Sequence, residues 1–412
     1  KLNNSSIGLP ERRNKQFIDL AVTRAKKMAP YIIPLNPDIE ALANLLKDGV
    51  VAKSNETDAY TPAHDILEDW ALIKYVDSIF FQQKDPQLFY THLGTEPAMR
   101  RAFRLWTLQA LKSQHEEKLG FFTQILSANN IESYWQDESV IALLHSPYLE
   151  TFLESNKELL LNNKWGLLSR FIHIMRTSCR EYGNIDFLIE KTFIPIGESW
   201  NHIISFIADH LDKLPIEKYD LVLHTINDWH YVLYCSEDIH PVAGKAGIIV
   251  ELLLEKHYIN QDDYYYRNDN VLLCVKLLLD CCGAIQDETK KLIEIASANY
   301  EKEDDGIDRD WKKIRYYQKI IETTLSGLSS TQVAKYLPDT LINLMKTEWI
   351  LPDELDEKND DTWGISSRHS SRDSNIAFGL ASEYKRDYFP ASAYQTPIYW
   401  LLKYHTIPTI DF

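Results

Sequence analysis

No run of about 18 apolar residues occurs in this chain, so no segment has the length of a membrane-spanning helix. The opening residues KLNNSSIGL lack the apolar core of a secretory signal. Together these absences predict a cytoplasmic protein that makes no membrane contact. Cysteine is sparse: Cys179, Cys235, Cys274, Cys281 and Cys282 are odd in number and show no C-x-x-C spacing, which points to buried thiols rather than a disulfide framework. Positive charge is also short. Lys and Arg number 44 against 60 acids, a net charge of −16, and without clustered cations counterion release cannot drive general nucleic-acid binding.

Chemistry is missing too. The only Gly-Lys pair, Gly244-Lys245, is followed by Ala246 and has no glycine five positions before it, so the G-x-x-x-x-G-K-S/T loop that wraps phosphates is absent and no P-loop ATPase is complete in this chain. The chain as given is therefore not expected to be an enzyme or to hold a cofactor. His224, His230, Cys235 and His240 are metal-capable, but their spacing does not place them on one helix face, which favours structural histidines over zinc. The carboxylate pairs Asp304-Asp305 and Asp360-Asp361 have no accompanying base. The Ser/Arg cluster Ser366–Ser374 around His369 has no nucleophile spacing.

What the chain does have is helical periodicity. At 412 residues it has room for about two or three domains or one repeat array. The stretch Pro37–Trp70 reads as a short helix, a stop at Gly49, β-prone arms at Val50–Ala52 and Ala59–Thr61 around the polar tip Lys53–Asp58, and a second helix opening at His64. A helix, a wing and a helix make a winged-helix unit. Before it, Pro10–Met28 is a helix, and residues 1–30 are rich in Lys and Arg, a solvated face or a docking surface. After it comes Glu96–Leu111, in which Arg100, Arg101 and Arg104 line one side, solvated or meeting phosphate or carboxylate.

From about Leu119 amphipathic stretches recur with short Pro, Gly, Asn or Asp breaks, including Pro147–Leu161, Trp165–Tyr182, Ile185–Ile194 and Thr331–Lys346. Two helices with connectors take roughly 40 residues, the size of a HEAT-like or TPR-like hairpin, and no consensus repeats. The expected fold class is mainly α, a small winged-helix segment followed by an irregular α-solenoid. Its expected segments are 1–84 (helix plus winged helix), 85–350 (solenoid) and 351–412 (acidic linker, Ser/Arg loop and aromatic helical segment). In the last, Tyr384, Tyr388, Phe389, Tyr394 and Trp400 are candidate partner-binding aromatics, with core packing the alternative.

The run Tyr60-Thr61-Pro62-Ala63-His64-Asp65-Ile66-Leu67-Glu68-Asp69-Trp70 resembles the winged-helix domain of STAND NTPases. In that family a histidine in a Met-His-Asp or Thr-His-Asp motif touches the β-phosphate of bound ADP and holds the protein closed. Here Ala63 replaces the first motif residue, and the His-Asp core is kept at His64 and Asp65. The acidic-aromatic continuation and the helices behind it resemble Avs-type antiphage proteins. That resemblance implies a longer parent with ATP or ADP and Mg bound upstream, a phage terminase or portal protein as partner, and homo-oligomerisation on activation. The lack of an initial methionine fits a piece of such a parent. A free-standing α-solenoid scaffold without nucleotide coupling is the alternative.

Overall fold

The computed structural model describes residues 8–113, 115–128, 130–184, 191–235, 237–258, 269–300, 311–349 and 397–405. The fold is mainly α. It divides into two compact units, Lys1–Cys179 and Arg180–Phe412, so the winged segment shares its unit with the helices that follow it.

The first unit begins with α1 (Leu9–Lys27), which has Pro10 at its start, Glu11 in its first turn and Arg24, Lys26 and Lys27 in its last, a charge order that matches the helix dipole. Ile32 then bridges antiparallel to Tyr60. In α2 (Ile39–Lys47) the Asp38 side chain caps the start by accepting from the Ala41 N–H at 3.0 Å, and Gly49, at φ 67°, makes the left-handed stop that the sequence predicts. Strands β1 (Val51–Lys53) and β2 (Tyr60–Pro62) pair with Val51 opposite Pro62 and Lys53 opposite Tyr60. Helix α3 (Asp65–Gln82) follows directly. Leu20, Ile32, Leu42, Leu45 and Val51 form a small core that ties wing to helices. Ile39, at helical spacing with the buried Leu42 and Leu45, lies in solvent.

Six further helices complete the unit: α4 (Pro86–Leu93), α5 (Pro97–Ser113), α6 (Glu116–Ser127), α7 (Ser133–Leu144), α8 (Leu149–Ser155) and α9 (Lys157–Ser178). Helices α1, α3, α5, α7 and α9 pack one on the next, while α4 and α6 pack against each other and against α3, α5 and α7. This is the two-layer pattern of stacked helical hairpins. Aromatic residues fill the layer between them: Phe80, Phe89, Phe103, Trp106, Phe121 and Trp135 are all nearly inaccessible, and Tyr90 stacks on Trp135 at 4.6 Å.

The break expected between Leu161 and Trp165 is a single left-handed turn. Asn163, Lys164 and Trp165 have φ of 49°, 53° and 61°, a conformation that costs an L-residue roughly 1–2 kcal/mol. Lys164 is exposed, so Lys164→Gly relieves strain without opening the core. The expected gain is about 1 kcal/mol, a rise in melting temperature of about 2–4 °C. A fall in melting temperature would show that the turn is held by Lys164 contacts rather than tolerated at a cost.

The second unit opens with a hairpin that corrects an expected helix. Strand β3 (Arg180–Gly183) pairs with β4 (Thr192–Pro195), with Tyr182 opposite Phe193. The helical expectation for Ile185–Ile194 fails over its described end because Tyr182, Thr192, Phe193 and Ile194 are β-prone and pair across strands. Then come α10 (Ser199–Asp209), α11 (Tyr219–Trp229), a 3-10 turn at His230–Tyr234, α12 (Ala243–Leu253), α13 (Asp269–Asp280), α14 (Gln286–Tyr300) and α15 (Trp311–Leu325). The expected single helix Thr331–Lys346 is two, α16 (Ser329–Tyr336) and α17 (Pro338–Trp349), because Pro338 starts a helix readily and keeps the residue before it, Leu337 at φ −132° and ψ 52°, out of the helical region. Helix α18 (Pro397–Tyr404) packs on α16.

Candidate functional site

The junction that the sequence singles out is built as follows. β2 ends at Pro62, Ala63 donates its N–H to the Val50 carbonyl at 2.9 Å, and the His64 carbonyl accepts the first bonds of α3, from Leu67 and Glu68. His64 is thus the N-cap residue by backbone, yet its imidazole makes no capping bond. It is exposed, as is Asp65. Asp65 in the first turn is favoured by the helix dipole. One turn on, Ile66 and Trp70 stand four residues apart on the face turned to solvent, each 60% exposed, while Glu68 on the opposite side is buried against α1. A donor-capable ring, a carboxylate and two large apolar side chains therefore share an open helix start. Such an arrangement can present a hydrogen bond to an anionic ligand held by a covering domain.

Among the described basic residues near the N-terminus, three arginines pair with acids of this chain. Arg12 pairs with Asp38 at 2.9 Å and Glu40 at 2.6 Å, buried Arg13 pairs with Asp48, and Arg24 pairs with Glu68. The Ala41 N–H, and then Arg12, hold the Asp38 carboxyl below its ordinary value. The α5 arginines likewise meet carboxylates of this chain: Arg101 reaches Asp69 at 2.6 Å, and Arg104 donates from Nε and Nη2 to Glu138 at 2.8 and 2.6 Å. Arg100 lies over the Tyr134 ring.

In the second unit the densest chemistry is buried. Asp280, at the end of α13, accepts from the Tyr234 hydroxyl and the Ser329 hydroxyl, each at 2.7 Å. Its other oxygen lies 3.8 Å from His230 Nε2 and has no hydrogen-bond partner. Lys276 donates to His230 Nε2 at 3.3 Å, and His230 Nδ1 donates to the Asn227 carbonyl, which fixes a neutral imidazole. Burial pushes the His230 pKa down to about 4 and raises that of Tyr234 well above its ordinary value. Cys235 is exposed and His240 meets the Trp229 ring edge-on, and among the described residues no group of three or more His, Cys, Asp or Glu is placed to hold a metal ion. Burial raises the thiols of Cys274, to about 12, and of Cys281 and Cys282, leaving them unreactive.

Of the expected partner-binding aromatics, Tyr384, Tyr388, Phe389 and Tyr394 lie outside the described residues, as does the Ser/Arg cluster around His369. Trp400 is 2% exposed in a core with Val333, Leu341 and Leu401, so it serves packing rather than a free surface. The reason is local: α18 is too short to bury one face alone, and its most apolar stripe closes on α16. Sequence reading missed the exposed pair Tyr182 and Phe193, whose rings lie 5.2 Å apart with the Arg180 guanidinium 4.1 Å from the Phe193 ring centre. Tyr and Phe at matching positions in two β-prone runs was the available signal.

Among the described residues no helix is long and apolar enough to cross a membrane. No protein-family model matches the sequence, and no curated protein matches it.

Proposed function

We propose that this chain is the regulatory and sensor portion of a STAND-type NTPase of antiphage defence, with His64 and Asp65 at the joint between a nucleotide domain and the helical array. One observation carries the reading: the His-Asp pair sits exposed at the start of α3, immediately behind a wing, with the solvent-facing Ile66 and Trp70 beside it. A histidine there can donate to a phosphate while the apolar side chains seat a neighbouring domain. ADP bound at that joint favours a closed state. A phage protein of terminase or portal type, bound to the helical array, acts by its greater affinity for an open, oligomer-forming state.

The test is made in the full-length parent. His64→Ala is expected to speed ADP release about tenfold, the loss of one charge-assisted hydrogen bond, and to raise basal activity with the array still folded. Unchanged nucleotide retention overturns the reading. The second reading, a helical scaffold with no nucleotide coupling, is favoured by the exposed Tyr182–Phe193 pair, the residue types used at partner hot spots. It predicts a gene that holds no phosphate loop upstream of Lys1.

A further inference from the structure

The helices stacked in succession in the first unit are joined by an unbroken series of arginine–carboxylate pairs. Arg24 of α1 meets Glu68 of α3. The next residue of α3, Asp69, meets Arg101 of α5 at 2.6 Å. One turn along α5, Arg104 meets Glu138 of α7 at 2.6 Å. The neighbour of Glu138, Asp137, meets Arg170 of α9 at 2.7 Å, and Arg170 also donates to Gln136 and to the Ser133 carbonyl.

The pattern alternates. α1, α5 and α9 supply arginines, whereas α3 and α7 each supply two adjacent acids that face opposite neighbours. An acid pair in sequence points to two different sides of a helix, about 100° apart, so each acidic helix is clamped between two arginine helices. Glu68 is almost wholly buried, as is much of Glu138, which makes these links less screened than surface pairs. The series starts one turn behind His64.

We propose that this ladder is a coupling device: it makes α1 through α9 respond as one body, so that a displacement of α3 at the His64 joint reaches α9. The functional sense of the coupling rests on the reading of His64 given above, but the coupling itself is a property of this chain and is tested without nucleotide.

The experiment is amide hydrogen exchange on the 412-residue chain, with circular dichroism and melting temperature confirming that each variant folds. Arg24→Met cuts the first link. The expected result is faster exchange in α5, α7 and α9 as well as in α1 and α3, by about fivefold at α9, the change in opening equilibrium that roughly 1 kcal/mol carries. The double variant Arg104→Met, Glu138→Met replaces the third link with an apolar contact. On that background Arg24→Met is expected to leave α7 and α9 unchanged. Faster exchange confined to α1 and α3 in the first case, or undiminished at α9 in the second, overturns the proposal. Should Arg24→Met fail to fold, Asp69→Asn cuts the second link: faster exchange reaching α7 and α9 is then expected, and faster exchange confined to α3 and α5 overturns the proposal. Failure here leaves the nucleotide reading standing, since His64→Ala tests that separately through ADP release.

Discussion

Asp280→Ala is expected to destabilise the second unit by about 3–5 kcal/mol, the cost of removing one member of a buried charged network. Asp280 is 2% exposed and His230 is fully buried. The carboxylate is the shared acceptor for hydroxyls from the 3-10 turn after α11 and from α16, so its loss leaves the Tyr234 and Ser329 donors without their acceptor and removes the negative charge facing the Lys276–His230 pair. Asp280→Asn keeps one acceptor oxygen, and its amide can donate toward His230 Nε2. Its expected cost is smaller, about 1–2 kcal/mol. Urea denaturation of the 412-residue chain followed by tryptophan fluorescence measures both. Losses below about 1 kcal/mol for the alanine variant would mean that apolar packing alone holds α13 to α16.

The network also shows where sequence reading stops. Periodicity and punctuation located α1, α2, the wing and α3 to within a residue or two, because caps, the Gly49 stop and the β-prone arms are all local signals. The same logic does not reach the burial of Ser329–Gln332. All four residues are polar and buried, and two of them find distant partners: Ser329 donates to Asp280, and Gln332 donates to the Leu233 carbonyl at 3.1 Å, 99 residues away. Polar groups go inside when long-range partners satisfy them, and no local window contains such partners. The arginine ladder was hidden likewise. The residues Arg100, Arg101 and Arg104 were visible as one face of α5, but the acids that Arg101 and Arg104 meet are on α3 and α7. The candidate site was legible as a motif at His64 and Asp65. Its exposure, and the open apolar face of Ile66 and Trp70 beside it, come from packing that puts Glu68 inward against Arg24.

The second large effect is on pH dependence. His230 is held near pKa 4 in the fold by burial, which outweighs the opposing pull of Asp280, whereas in the unfolded chain it titrates near 6.5. At pH 7 both states are neutral and the stability is fully present. As pH falls below about 6.5 the unfolded chain takes up a proton that the native chain refuses, so stability drops by about 1.4 kcal/mol per pH unit and the loss reaches about 3 kcal/mol near pH 4. His240, also lowered by burial, is only half-buried and contributes less. The measurement is the urea midpoint of the second unit between pH 7.5 and 4.5, compared with His230→Asn, which keeps a donor toward the Asn227 carbonyl. The variant is expected to show a shallower fall by about one proton's uptake across that range. Equal slopes for the two proteins would place the charged imidazole inside the fold, and the Lys276–His230–Asp280 arrangement would then have to hold an ion pair rather than a neutral ring.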